Sequence, residues 1–229
     1  MSEYVPEYLG SSIDAFTATP QGYELLESST ELQLLTRAYC EAKEYAEDLV
    51  TSSGSEIGIG GSAELRCVAG VAIKASTPTS GKYKSGSPEN LVRQSEFLNK
   101  LGADLAARGH RDITVPEQYF GLRTASGNTL LAQEYMEGWQ SLEAWLKEYG
   151  YTQGNRYEIA SPVTQRLKHA LGDSALKYGV RDLIVHGTVN RENVLVPKDS
   201  DPVTAPLCII DQHPYDTRFP WFQRRFSSF

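Results

Sequence analysis

The stretch Ile184-Val-His-Gly-Thr-Val-Asn-Arg-Glu-Asn-Val-Leu-Val196 decides how this chain of 229 residues is organised. Two short apolar runs flank a polar loop, so the pattern predicts a strand, a loop and a second strand. His186 and Asn193 lie at the two ends of the loop, seven positions apart. Further along, the apolar run Leu207-Cys-Ile-Ile predicts another strand, which delivers Asp211 at its end. The pattern therefore predicts polar groups placed at strand ends in one region of the chain.

A glycine-rich segment lies upstream and leads into a strand that ends in lysine. Gly58, Gly60 and Ala63 occupy the three positions of G-x-G-x-x-G, with the last glycine replaced. Glycines let backbone N–H groups approach phosphate oxygens, so such a segment suits a nucleotide. The run Val71-Ala-Ile-Lys74 follows a tight turn predicted at Ala69-Gly70.

These motifs, in this order, resemble those of protein kinases and kinase-fold small-molecule phosphotransferases. The family's loop reads H-R-D-L-x-x-x-N or H-G-D-x-x-x-x-N, and V-A-I-K is the usual form of its lysine strand. The chain differs at Thr188, which stands where the family carries its catalytic Asp, and at Gln212-His213, where the family has Phe-Gly. The resemblance covers about residues 50–213 and is to a minimal or degenerate kinase.

The resemblance implies an α+β, two-lobed protein-kinase-like fold, with an antiparallel N-lobe sheet, one main helix and a reduced, mostly helical C-lobe. Residues 1–50 are expected to form an N-terminal arm, irregular over its first 27 residues, and a helix from Thr30 that Ser28 caps. Residues 51–138 would form the N-lobe and residues 139–229 a truncated C-lobe. The other predicted elements are a helix from Ser87-Pro88, strands over Ile113–Leu122 and Thr129–Tyr135, a helix capped by Ser141 and a helix over residues 162–178.

The resemblance also implies roles on the nucleotide side. Lys74 would hold the phosphates beneath Gly58 and Gly60, and Glu96 would orient Lys74 by an ion pair. Glu89 is the competing candidate for that pair. The hinge between the lobes, including Glu134 and Met136, would bind adenine through its backbone groups.

The metal and the transfer step depend on the loop. Asn193 and Asp211 would bind Mg²⁺, because this ion prefers hard oxygen ligands. Thr188 has no charge at neutral pH and cannot accept a proton as a carboxylate does, and general-base assistance is typically worth about 10² to 10⁴ in rate. His186 belongs to the same motif, either as a catalytic group or as a structural histidine that bonds to nearby backbone. Neither Asp182 nor Glu192 is favoured as a substitute base.

The expected function is binding of ATP and Mg²⁺ in an interlobe cleft, with phosphotransfer impaired as in a pseudokinase. One alternative is an active atypical kinase or kinase-fold enzyme acting on a protein or a small molecule. Another is a nucleotide-independent interaction module, in which the N-terminal helix and the aromatic tail bind a protein partner. The tail residues are Phe219, Trp221, Phe222 and Phe226, which could instead cover the core of the short C-lobe.

The composition limits the classes of partner and the cellular location that are expected. The net charge of -7 argues against nucleic acid as a partner, because phosphate contacts need a basic face. No apolar run is long enough to span a bilayer, and the start of the chain lacks the pattern of a signal peptide. Three widely spaced cysteines suggest neither a disulfide framework nor a zinc site. A cytoplasmic location is therefore expected.

Overall fold

A computed structural model describes residues 5–41, 54–59, 64–76, 88–172, 183–185 and 188–210. The chain divides into two compact units. Unit 1 comprises Met1–Glu96 and Glu117–Tyr135, and unit 2 comprises Phe97–Pro116 and Met136–Phe229. Both units combine helices with strands, so the predicted α+β class is confirmed.

Unit 1 is built on a six-stranded antiparallel sheet. Its strands, in spatial order, are β1 (Ile13–Ala18), β6 (Gln118–Thr124), β7 (Thr129–Glu134), β4 (Val71–Ser76), β3 (Glu64–Val68) and β2 (Ser55–Ile59). From β2 onward the chain runs through a glycine-containing hairpin, the lysine strand, a long helix and a strand pair. This is the order of elements that the resemblance implies for the N-lobe of a kinase-like fold.

The predicted turn between the lysine strand and its neighbour is confirmed. Ala69 and Gly70 have φ angles of 50° and 77°, and together they join β3 to β4. Two successive positive φ angles define a type I′ turn, whose twist matches that of an antiparallel hairpin.

The N-terminal region is not an irregular arm, and that prediction is wrong. It forms a 3-10 helix (Glu7–Ser12), the edge strand β1, and helix α1 (Pro20–Ser28). Thr19 starts α1 because its hydroxyl accepts the Gly22 N–H at 3.1 Å and Pro20 follows with a helical φ. The prolines and glycines thus lie at element boundaries and leave the strand between them intact.

Helix α2 (Thr30–Glu41) begins where the sequence predicts, but its cap is one residue further along. The Ser29 hydroxyl, rather than that of Ser28, accepts the Leu32 N–H at 3.3 Å. The apolar face of α2 joins α1 and one face of the sheet in the core of unit 1. That core includes Leu26, Leu32, Leu35, Tyr39, Ile73, Ala75, Phe120, Leu122, Leu130 and Ala132.

Helix α3 (Pro88–Ala107) begins at the predicted proline. The single strand predicted over Ile113–Leu122 is instead two strands, because the chain breaks pairing around Pro116, which has no N–H for a ladder. Its first part, β5 (Ile113–Thr114), belongs to unit 2, and its second part is β6 of unit 1.

Unit 2 combines helices with two small sheets. The four-stranded sheet has the order β5, β12 (Leu207–Ile209), β11 (Val194–Pro197), β8 (Trp139–Ser141). Strands β9 (Ile184–Val185) and β10 (Thr188–Val189) form an antiparallel pair. Helix α4 (Leu142–Glu148) is capped by Ser141, as predicted, and α5 (Tyr157–Gly172) begins five residues before its predicted start. Their buried faces meet in a core that includes Leu101, Leu105, Leu142, Leu167, Val194, Val196 and Ile209.

Within the described ranges, no helix is both long enough and apolar enough to cross a membrane.

Candidate functional site

Lys74 lies on a central strand of the unit 1 sheet. Its backbone pairs with Leu65 of β3 on one side and with Leu131 of β7 on the other. Side chains alternate along a strand, so Lys74 projects from the face opposite to Ile73 and Ala75, which belong to the core. Only 9% of Lys74 is exposed. The sheet therefore holds a largely buried cation away from the apolar core.

Glu96 lies on α3 and is exposed to solvent. The side chain of Glu89 lies outside the described residues. The identity of the acidic partner of Lys74 stays a prediction.

The glycine-rich segment is described in part. Gly58 lies in β2 beside an irregularity in the pairing of β2 with β3, whereas Gly60 lies outside the described residues. An interrupted ladder leaves backbone groups of a strand directed away from its neighbour. The role of this segment in covering phosphates stays a prediction.

The predicted hinge residues are already engaged in local hydrogen bonds. The Glu134 N–H donates to the Glu117 carbonyl at 2.8 Å, and the Glu134 carboxylate accepts the Glu117 N–H at 3.2 Å. The Met136 carbonyl accepts the Trp139 N–H at 3.2 Å. These bonds fix the backbone on either side of the point where the chain passes from unit 1 to unit 2.

Thr188, which the sequence predicts to stand at the base position of the loop, lies in unit 2. It starts β10, where its backbone pairs with Val185, and it is half-buried. His186 lies outside the described residues. Since threonine keeps its proton at neutral pH, this part of the loop offers a hydroxyl at the position where a carboxylate would be needed for general-base catalysis.

Asn193 lies immediately before β11 and is half-buried. Its carbonyl accepts the Ile210 N–H at 3.0 Å, which continues the antiparallel pairing of Val194 with Ile209. Asp211, the residue after Ile210, lies outside the described residues. The pairing brings Ile210, the residue before Asp211, beside Asn193.

A salt bridge ties the same loop to α4. Arg191 Nε lies 2.6 Å from Glu143 Oε2, and the Glu143 N–H donates to the Arg191 carbonyl at 3.1 Å. Burial raises the pKa of Glu143, but the hydrogen bond from Arg191 and the charges of Arg191, Lys147 and Arg156 outweigh it, so the pKa lies below its ordinary value. Glu143 is therefore ionised at neutral pH and holds Arg191 in place.

A second contact comes from α5. The Thr164 hydroxyl accepts the Val189 N–H at 2.9 Å in a buried environment. Sequence reasoning missed Thr164, Glu143 and Arg191. One signal was available for Thr164: it is a polar residue on the helical stripe that also carries Ala160, Val163 and Leu167. No comparable signal marks the Arg191 pair, because its partners are 48 residues apart.

Among the described residues, no group of three His, Cys, Asp or Glu side chains could hold a metal ion. The three cysteines are free thiols, and burial together with the charge of Glu41 raises the pKa of Cys40 to about 11, so its thiolate is scarce at neutral pH.

No protein-family model matches the sequence, and no curated protein is similar to it at a significant level. The solved structures that are similar in part include the following two. A chain of the CAK complex from Chaetomium thermophilum bound to ATP-gamma-S is 17% identical, with a TM-score of 0.40, over 69% of this chain and 45% of that chain. Rad53 1-466 in complex with AMP-PNP is 17% identical, with a TM-score of 0.42, over 77% of this chain and 44% of that chain. The chain spans less than half the length of either.

Proposed function

We propose that this kinase-like chain binds ATP and Mg²⁺ and is impaired in phosphoryl transfer, as a pseudokinase. Transfer requires cations on the phosphates, oxygen ligands for the metal and a group that orients the attacking hydroxyl. The chain has candidates for the first two requirements, and Thr188 stands at the position predicted for the third. A cytoplasmic location and a protein partner remain predictions from the sequence.

The burial of Lys74 is the observation that carries this proposal. A lysine on a central strand usually costs stability, because its ammonium loses contact with water. Here the sequence places lysine at a position that is 9% exposed, between Ala72 and Ala75, which are both buried. A cation in this setting suits an anionic ligand such as a nucleotide phosphate.

The proposed metal ligands are Asn193 and Asp211. The Asn193 carbonyl is bonded to the Ile210 N–H, so the backbone positions of the first ligand and of the residue before the second are fixed relative to each other. An amide oxygen and a carboxylate are suitable ligands for Mg²⁺, which keeps several waters and binds substrate phosphates. When bound, the ion would neutralise phosphate charge.

The first test is thermal unfolding with about 1 mM ATP, with and without Mg²⁺. If this concentration is about 100 times the dissociation constant, it adds about 2.7 kcal/mol of stability, which is a rise in Tm of about 2 to 4 °C for a chain of this size. Lys74→Ala and Asp211→Ala are expected to fold and to lose this rise. Lys100→Ala, which removes an exposed lysine from α3, is the matched control and should keep it. An unchanged rise in both site variants would contradict the assignment.

The second test restores the carboxylate. Thr188→Asp is expected to increase phosphate transfer from ATP to water or to an added acceptor, by up to about 10² to 10⁴ if general-base assistance is the missing part. Thr188→Asn, which has the same shape without the charge, is the control. A parent protein that already transfers phosphate at the rate of the Asp variant would favour the active-enzyme alternative.

A further inference from the structure

A hydroxyl lies inside the apolar core of unit 2. Thr164 is 2% exposed on α5, and its neighbours on the buried stripe of that helix are Ala160, Val163 and Leu167. Burying a hydroxyl is unfavourable unless it is hydrogen-bonded, so a residue of this kind inside a core needs partners.

Thr164 has both kinds of partner. Its hydroxyl donates to the Ala160 carbonyl one turn earlier at 2.6 Å and accepts the Val189 N–H at 2.9 Å. A hydroxyl carries a single hydrogen. Because that hydrogen is used within the helix, the oxygen lone pairs are left to the loop, and the hydroxyl acts there as an acceptor of fixed orientation.

The bonded amide lies at the centre of the loop that carries the site. Val189 follows Thr188 directly and is 2% exposed, so its N–H has no access to bulk water as an alternative partner. The next residue, Asn190, donates its N–H to the Leu183 carbonyl at 2.6 Å and accepts the Asn193 N–H at 3.1 Å. A displacement at Val189 would therefore move the backbone on which both Thr188 and Asn193 depend.

We propose that Thr164 is a positioning residue, which anchors the loop of Thr188 and Asn193 to α5 so that Asn193 is held ready to bind Mg²⁺ with the nucleotide. The effect on Mg²⁺ binding rests on the proposed function, whereas the hydrogen bond between Thr164 and the loop does not depend on it. Groups that orient metal ligands from behind commonly change metal affinity by about 10- to 100-fold when they are removed.

Thr164→Val and Thr164→Ser separate the hydroxyl from the shape of the side chain. Valine keeps the volume and removes the acceptor, whereas serine keeps the hydroxyl. Thr36→Val is a matched control, because Thr36 is also a fully buried helical threonine, whose hydroxyl donates to the Leu32 carbonyl at 2.7 Å within its own helix α2. Both valine variants lose a back-bond to their own helix, but only Thr164→Val removes the acceptor of a loop amide.

Two measurements are made on the full chain. Hydrogen exchange of the Val189 amide reports on the anchor, and Thr164→Val is expected to speed it by about tenfold or more, since a buried N–H loses its partner. The Mg²⁺ concentration that gives half of the ATP-induced rise in Tm reports on the site, and it is expected to increase about tenfold in the same variant. Thr164→Ser and Thr36→Val should match the parent in both.

The outcomes are distinct. Unchanged Val189 exchange in Thr164→Val would overturn the anchor. Faster exchange with an unchanged Mg²⁺ requirement would show a structural bond only and would overturn the positioning role. A parent protein with no Mg²⁺-dependent rise would overturn the proposed function and the link to metal, whereas the exchange measurement would still decide the anchor. If Thr164→Val does not fold, Thr164→Ala removes the same acceptor and serves in its place.

Discussion

The two units hold their candidate site residues in different ways. Unit 1 places Lys74 by a regular ladder, in which β4 pairs with β7 over six consecutive positions and with β3 over five. Unit 2 places Thr188 on a strand of two residues and Asn193 directly before a strand of four. There the side chains of Thr164 and Arg166 bond backbone groups, and Glu143 bonds the Arg191 side chain.

This difference has consequences for mutation. A ladder is made of backbone groups that every residue except proline possesses, so one side chain can change while the hydrogen bonds persist. A contact from a side chain to the backbone is lost with that side chain, and the buried carbonyl or N–H is left unbonded. Single substitutions that remove a polar group should therefore cost more in unit 2 than in unit 1.

The largest effect is expected at Arg166 of α5. Its guanidinium donates to the Pro202, Val203 and Ala205 carbonyls at 2.9 to 3.0 Å and to the Asp112 carboxylate at 2.8 Å. It therefore ties α5 to the turn before β12 and to the residue before β5. Arg166→Ala should lower the free energy of unfolding in urea by about 3 kcal/mol, since several acceptors lose a charged donor together.

Two further variants serve as comparisons for Arg166→Ala. Arg166→Lys keeps the charge but not the planar fork, so it should recover only part of the loss. Arg37→Ala removes an arginine whose partner, Glu41, is one turn away and whose side chain is 62% exposed, so a change within about 0.5 kcal/mol is expected. If Arg166→Ala and Arg37→Ala lowered the free energy of unfolding by similar amounts, the contacts of Arg166 would contribute no more than those of an exposed arginine.

Gly22 is a position in unit 1 where a single added methyl group is expected to be destabilising. It therefore tests whether unit 1 tolerates substitutions everywhere. A Cβ at this position of α1 would lie 2.0 Å from the Tyr119 carbonyl oxygen. Neither backbone can yield easily, since the Tyr119 carbonyl also accepts the Thr19 N–H at 2.8 Å. Gly22→Ala should lower the free energy of unfolding by about 2 kcal/mol.

Gly172→Ala is the matched control for that change. Gly172 also lies in a helix, and a Cβ there would meet no atom of the described residues within 4 Å. Alanine has the higher helix propensity, so stability should stay the same or rise by up to about 1 kcal/mol. If Gly22→Ala were equally harmless, α1 would not be held against β6 as closely as the structure shows.

The sequence predicts the regular strands and helices better than it predicts the side-chain contacts of Thr164, Arg166 and Glu143 that hold unit 2 together. The apolar strand that leads to Lys74, the turn at Ala69-Gly70 and the stripe of Leu32, Leu35 and Tyr39 are all local patterns, and the structure confirms each of them. The edge strand β1 escaped prediction because its neighbouring prolines and glycines resemble those of a loop. It becomes a strand by pairing with β6, which is more than 100 residues away in the chain.

The side-chain contacts of unit 2 could not be predicted, because their partners are also far apart in the sequence. Thr164 and Val189 are 25 residues apart, and Arg166 contacts residues 36 to 54 positions away. Such bonds depend on how helices and loops meet in three dimensions, which periodicity does not encode. The motif predicts which residues of the loop carry chemistry, whereas the structure is needed to show what holds that loop.

Glu143 gives the smallest of these effects and the one that depends on pH. Glu143→Gln keeps the shape but removes the charge that faces Arg191, and both partners are about one-fifth exposed (21% and 22%). A loss of about 1 kcal/mol in the free energy of unfolding at pH 7 is expected. Glu148→Gln on the same helix, where the exposed carboxylate accepts from the Gln140 amide at 2.9 Å, is the control and should change little.

The direction of the pH dependence follows from the lowered pKa of Glu143 in the folded protein. A carboxyl whose pKa is lower folded than unfolded contributes stability that is complete above the unfolded value, about 4.3. That contribution disappears as the pH falls through the folded pKa, because the carboxyl is then protonated in both states. Urea unfolding at a series of pH values should show the gap between the parent and Glu143→Gln closing below about pH 4.3. A gap that stayed constant down to acid pH would mean that the salt bridge to Arg191 does not clamp the loop, and the contrast between the two units would then rest on uncharged bonds such as that of Thr164.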